Sequence, residues 1–185
     1  MKSPIKIAML VALGLSLASL PSDGNAALKE GVKAPDFTLK AAQGGKEFDL
    51  SLKATLRGGP VVLYFFPAAF TPGCTEESNL FAEANSKFNQ LGARVIGVTA
   101  GNIHRVAEFS RVECRDKFAV AADPGAKVAA QYDATMAGPN QSLLSNRTSY
   151  VIAPNGTILL SYTDNKPQAH VEKTMAAVRA WNARR

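Results

Sequence analysis

The chain has 185 residues, 46% apolar and 19% charged, with a net charge of +6. This composition sets it apart from disordered, collagenous and low-complexity proteins and allows one domain around a single core. The basic residues are mixed with acids and adjoin in no run beyond Arg184-Arg185, so the charge lacks the basic block of a nucleic-acid binder and no such partner is expected.

Lys2 and Lys6 precede an apolar run from Ile7 to Leu20, and Pro21, Gly24, Ala26 and Ala27 follow. The run is too short for a membrane span. A basic start, an apolar middle and a small-residue end are the layout of a secretory signal peptide, with Gly24-Asn25-Ala26 as the cleavage site. The expected organisation is a signal peptide over 1–26 and one domain over 27–185. The expected location is exported, in a bacterial periplasm, without stable membrane association.

Asp36-Phe-Thr-Leu39 and Phe48-Asp-Leu50 flank Gly44-Gly45 and read as an N-terminal hairpin. Val61 to Phe66 is a continuous apolar run, as in a central strand buried on both faces, and Pro67 is expected to end it. A helix should follow, with Thr71 as N-cap, Pro72 at its first position and Gly92 at its end. Leu80, Phe81, Ala84, Phe88 and Leu91 recur along it at helical spacing. Arg94 to Val98 is the next strand, Asn102 to about Arg111 a helix with Val106 and Phe109 inward, and Phe118 to Ala122 a third core strand. Asp123-Pro124-Gly125 opens a short helix reaching Tyr132, and Ala137 to Asn146 reads as a polar loop. Arg147 to Ala153 and Thr157 to Tyr162 flank Pro154-Asn155-Gly156, a hairpin signal in which Asn-Gly supplies positive φ angles. Val171, Met175 and Val178 mark a last helix. Strands alternating with helices and closing on an antiparallel hairpin give an α/β class, a central mixed sheet flanked by helices. A thioredoxin-like fold with an N-terminal β-hairpin fits this order.

There are two cysteines, Cys74 and Cys114. In an oxidising compartment the default for such a pair is a structural disulfide. The surroundings of Cys74 argue otherwise. Pro67-Ala-Ala-Phe-Thr71-Pro-Gly-Cys74 joins a core strand to a helix, the usual place for a site in α/β sheets. Cys74 falls in the first helical turn, where free amides and the positive end of the dipole favour a thiolate. That effect is worth only about 0.3–1 kcal/mol, and an ordinary thiol with pKa ~8.5 is about 3% ionised at neutral pH. A cation is needed as well. His104 and His170 are isolated in sequence and receive no chemistry, which argues against a Cys-His protease or a metal site.

The pattern Pro67-x-x-x-Thr71-x-x-Cys74 resembles the peroxiredoxin signature, and Thr71-Pro-Gly-Cys-Thr75 resembles the bacterioferritin-comigratory-protein, or Q-type, branch. The likeness extends from Gly31-x-x-Ala-Pro-Asp-Phe37 through Arg147-Thr-Ser-Tyr-Val-Ile152 to Asn155-Gly156. It implies a thiol-dependent peroxidase of hydrogen peroxide and organic hydroperoxides. Cys74 would attack a peroxide oxygen and become a sulfenic acid. Thr71 would hydrogen-bond the peroxide, Arg147 would be the cation beside the sulfur, and Pro67 would shield it. Glu77 would orient Arg147, and the amides of Gly73 and Cys74 would bind the peroxide oxygen. No metal or organic cofactor is expected, and the redox chemistry would rest on sulfur alone. A thioredoxin-like protein is the expected reductant, and a monomer or small homodimer the expected state.

Asn79 stands where many Q-type members carry a second cysteine, so a short disulfide within the helix is impossible. Cys114 lies in Arg111-Val-Glu-Cys114-Arg-Asp-Lys117, a polar segment that suggests an accessible thiol; Arg111, Arg115 and Lys117 could lower its pKa, while Glu113 and Asp116 would oppose this. It is the expected resolving cysteine, forming an intramolecular disulfide with Cys74. A one-cysteine cycle, intermolecular pairing and a purely structural bond remain alternatives. A thiol–disulfide oxidoreductase is disfavoured because no Cys-x-x-Cys occurs. Phe66 and Phe70 are expected to give the site an apolar entrance.

Overall fold

The computed structural model describes residues 27–184; the expected signal peptide over 1–26 lies outside them. The strands are β1 (Thr38–Gln43), β2 (Lys46–Ser51), β3 (Val61–Ala68), β4 (Arg94–Gly101), β5 (Ala119–Ala122), β6 (Thr135–Ala137), β7 (Leu143–Ser145), β8 (Thr148–Ile152) and β9 (Ile158–Thr163). The helices are α1 (Leu52–Leu56), α2 (Pro72–Gln90), α3 (Val106–Val112), α4 (Lys127–Gln131) and α5 (Pro167–Asn182). Seven strands form one sheet in the order β2-β1-β5-β4-β3-β8-β9. β4 runs parallel to β3 and β5, whereas β8 is antiparallel to β3 and β9. The sheet is mixed, as the sequence predicts.

β3 sits inside this sheet because its residues from Val61 to Phe66 are fully buried. Side chains alternate along a strand. Val61, Leu63 and Phe65 therefore join one core layer, with Leu52, Tyr132 and Tyr150. Val62, Tyr64 and Phe66 join the other, with Phe81, Phe88, Phe109, Met175 and Val178. Helices α1 and α4 cover the first face, and α2, α3 and α5 the second.

Four details differ from expectation. β3 continues through Pro67 to Ala68. Pro67 needs no ladder donor there because the pairing with β8 has already ended at Phe65↔Thr148. The segment expected as a polar loop carries the β6–β7 hairpin. α1 forms after β2, its N-cap Ser51 accepting from Ala54 N–H. In the turn at Pro154-Asn155-Gly156 only Gly156 has positive φ, 84°. Gly156 N–H donates to Ala153 O at 2.7 Å, so the turn is centred on Pro154-Asn155.

Candidate active site

The end of β3 and the start of α2 bring Pro67, Thr71, Gly73 and Cys74 together. Thr71 occupies the N-cap position with extended backbone but makes no capping bond. Its hydroxyl donates to Ala68 O at 3.0 Å instead, which fixes the oxygen and leaves its lone pairs free to accept. The first intrahelical bond runs from Thr75 N–H to Thr71 O at 2.9 Å, so the amides of Gly73 and Cys74 precede the helical ladder and have no partner within it. The loop before them is pinned. Phe70 is held at φ 64°, a conformation that bulky residues avoid. Its ring lies edge-on to Phe109 at 5.1 Å, under the Arg105 guanidinium at 3.8 Å. Asn102, reached from the end of β4, donates to Ala69 O at 2.8 Å.

Arg147 stands one residue before β8, just past the last β3–β8 pair. Its Nη2 donates to Cys74 Sγ at 3.7 Å, and its Nη1 donates to Glu77 Oε2. Cys74 is 1% exposed and Glu77 is fully buried. Burial pushes the Glu77 carboxyl up to about 8, against the pull of Arg147. Burial also works against the charge of Arg147, but Glu77 and the Cys74 sulfur outweigh it and hold the guanidinium above its usual range. Gly73 lets the guanidinium come close: a Cβ there would lie 3.1 Å from Arg147 Nη2. The predicted set of Pro67, Thr71, Gly73, Cys74, Glu77 and Arg147 is thus collected at one strand end.

Three expectations need correction. Cys114 is buried, not accessible. Burial drives its thiol pKa far up, and the flanking bases do not reverse this. Its charged neighbours turn outward: Glu113 accepts from Asn79 Nδ2 at 3.0 Å, and Arg115 donates to Asn79 Oδ1 at 3.1 Å. The thiol itself packs toward Ser78 and Tyr64, whose hydroxyls bond each other at 2.9 Å. Phe66 belongs to the core, so only Phe70, half-buried, can border an entrance. The apolar stripe of α2 also includes buried Glu77, Ser78 and Asn85, while Leu80 and Ala84 are half-buried.

Two residues at the site escape a local reading of the sequence. His170 on α5 and Ser149 on β8 are fully buried and hydrogen-bonded to each other at 2.8 Å. The spacing of His170 to Thr174 and Val178, four residues each, is a signal that it shares their buried face. Together the described residues can hold a buried sulfur, a fixed hydroxyl, free amides and an aligned cation at one strand end.

The sequence profile of the AhpC/TSA family matches residues 31–161. Peroxiredoxin Q, chloroplastic, from Arabidopsis thaliana is 36% identical over 156 residues, covering 84% of this chain and 69% of that protein. The protein of that name from Populus jackii is 33% identical over 167 residues, covering 87% and 74%. Its counterpart from Gentiana triflora is 33% identical over 153 residues, covering 81% and 66%, so this chain spans about two thirds of its length. Among solved structures, peroxidoxin BcpB from Mycobacterium tuberculosis superposes with a TM-score of 0.74 at 30% identity, over 83% of this chain and 97% of that one. AhpC of the same organism, at 18% identity and TM-score 0.70 over 86% and 96%, shares the fold.

Proposed function

The chain belongs to the AhpC/TSA family, in its peroxiredoxin Q branch, and is a thiol-dependent peroxidase; we propose that Cys74 is the residue that attacks the peroxide. The observation that carries this reading is the guanidinium of Arg147, 3.7 Å from Cys74 Sγ and backed by Glu77. The substrates are hydrogen peroxide and organic hydroperoxides. The Cys74 thiolate attacks one peroxide oxygen, the S–O bond forms as the O–O bond breaks, and the leaving oxygen takes a proton to become water or alcohol. Arg147 and the amides of Gly73 and Cys74 meet the charge that builds on the oxygens. Thr71 accepts from the peroxide O–H through its fixed oxygen, and Pro67 keeps water from the sulfur.

The sulfenic acid then condenses with the Cys114 thiol, releasing water and forming a disulfide. Cys114 faces Ser78, one turn of α2 beyond Cys74. Opening of the first turn of α2 is needed to bring the sulfurs into bonding range. A thioredoxin-like dithiol restores the reduced pair. The chain acts as a monomer or small homodimer and needs no metal or organic cofactor. Residues 1–26 serve as a leader that exports the chain, with the bacterial periplasm as its destination. The plant relatives are chloroplastic by name, which concerns those proteins alone.

One measurement tests the scheme. The intact mass of reduced protein recovered from cells reports whether 1–26 have been removed. After one equivalent of hydrogen peroxide, a loss of about 2 mass units marks the Cys74–Cys114 disulfide. A gain of about 16 or 32 marks a one-cysteine cycle resolved from outside. No change within seconds overturns the assignment of Cys74.

A further inference from the structure

The start of α2 is held over Cys74 by the connection that leads into it. Phe70 has φ 64°, and among the described residues no other aromatic residue has a positive φ. A bulky residue in this conformation persists only where its surroundings hold it. Three side chains hold this connection, all from the segment between β4 and the end of α3. Asn102 Nδ2 donates to Ala69 O at 2.8 Å. Arg105, at the N-cap of α3, lays its guanidinium over the Phe70 ring. Phe109 of α3 meets the same ring edge-on.

The two contacts on the ring differ in kind. Phe109 lies at 87° to Phe70 with centroids 5.1 Å apart. It is fully buried and stacks on Phe66, which stacks on Tyr64, so this contact is anchored in the core. The guanidinium carbon of Arg105 is 3.8 Å from the Phe70 centroid, over the face, where the π-electrons attract a cation. The Arg105 side chain is 40% exposed, and its Nε and Nη2 both lie 3.0 Å from Glu108 Oε2, one turn along α3. Glu108 thus fixes the plane of the guanidinium but ties it only to its own helix. That helix ends at Val112, two residues before Cys114. The stack therefore joins the segment that carries Cys74 to the helix that leads to Cys114.

We propose that Arg105 is a positioning residue whose stack on Phe70 latches the start of α2 closed, and so sets how often the Cys74 sulfur is uncovered. The inference rests on the reading of Cys74 above, in which the first turn of α2 opens between attack on peroxide and disulfide closure. Phe70 adjoins Thr71, the N-cap of α2, and lies four residues before Cys74. While the ring is gripped, the backbone at Phe70 stays at positive φ and the chain enters α2 in the direction that brings Thr71 beside the sulfur. When the stack breaks, Phe70 returns to the ordinary region of negative φ. Every residue after it is redirected, and the first turn of α2 loses its entry geometry. The strain at Phe70 and the attraction of the cation are of similar size. The closed state is thus held by a narrow margin, which suits a turn that must open once in each cycle.

The test compares the reduced wild type with Arg105→Ala, Arg105→Gln and Arg105→Lys, all changes at an exposed side chain. N-ethylmaleimide reports the opening, because its rate with Cys74, located by peptide mass, follows the open fraction. Arg105→Ala and Arg105→Gln are expected to raise that rate about fivefold, the loss of one cation–π contact. Arg105→Lys keeps the cation and stays nearer the wild type. Amide hydrogen exchange should quicken by the same factor from Ala69 to Glu76 and stay unchanged in β3 and α5. In Phe70→Leu, where the ring is gone, adding Arg105→Ala should move neither readout further. Equal rates for the wild type and Arg105→Gln overturn the proposal. So do effects of the two substitutions that multiply, or exchange that quickens throughout the molecule. Absence of peroxide turnover in the wild type refutes the assigned activity, while the maleimide and exchange rates still decide the role of Arg105.

Discussion

At Gly73 a missing side chain matters as much as the charges around it. The Arg147 guanidinium occupies the space a Cβ would crowd, at 3.1 Å. Gly73→Ala is expected to displace Arg147 by a few tenths of an ångström and slow the peroxide reaction by about tenfold, with the melting temperature little changed. Stopped-flow rates beside a thermal melt check this. An unchanged rate would mean that the guanidinium has room to spare. Arg147 itself could be read from the sequence only through the family pattern. An arginine before a strand is ordinarily a surface residue, and nothing local announces that β8 delivers this one to the end of β3. His170 was harder still. Its ring meets Glu77 across α2 and α5, elements far apart in the chain, and no local pattern encodes that meeting.

The elements that matter most are α2 and the segment after α3. Asn79 ties them together: it donates to Thr75 O at 2.9 Å and to Glu113 at 3.0 Å, and accepts from Arg115. These bonds bracket Cys114 and hold its backbone against the helix that carries Cys74. Asn79→Ala is expected to cost about 1–2 kcal/mol of stability. It should also slow disulfide closure relative to the first oxidation of Cys74, read by quenched-flow mass spectrometry. Closure at the wild-type rate would show that the bracket has no part in positioning the thiol. The elements were largely legible because each carries a local signal. The run from Val61 to Phe66 fits an inner strand and is one, and Gly44-Gly45 turns β1 into β2 with φ of 58° and 77°. The burial of Cys114 was not legible: polar neighbours in sequence indicate exposure only when they point the same way as the residue between them. Here they turn outward while the thiol turns in. The β6–β7 hairpin was missed because three-residue strands around Gly138 and Pro139 carry too little alternation.

For the whole molecule, two buried titratable groups, Glu77 and His170, make stability depend on pH. On folding, the Glu77 carboxyl rises from 4.5 to about 8, so the folded chain keeps a proton that the unfolded chain releases. Stability from this group is complete below about pH 4.5 and is lost as pH climbs through about 8. His170 is held below 6.5. Its contribution has the opposite sense, present above 6.5 and lost as pH falls. Above 6.5 only the Glu77 effect remains. Urea midpoints at pH 6.5 and 8 should fall for the wild type and fall less for Glu77→Gln. Equal slopes would mean that Glu77 is ionised throughout this range. The global plan explains why one carboxyl carries such weight. The mixed sheet is covered on both faces, and α2 lays its polar residues Glu77, Ser78 and Asn85 into the same layer as Phe81 and Phe88.

The 1% exposure of Cys74 imposes an order of visitors. A sulfur so enclosed offers no face to the thiol of another protein while the start of α2 keeps this fold. A macromolecular electron donor must wait until the start of α2 gives way. If the proposed Cys74–Cys114 bond opens that turn, the oxidised and reduced chains differ in outline as well as in bonding. On that scheme the fold would delay reduction until a peroxide has already been met.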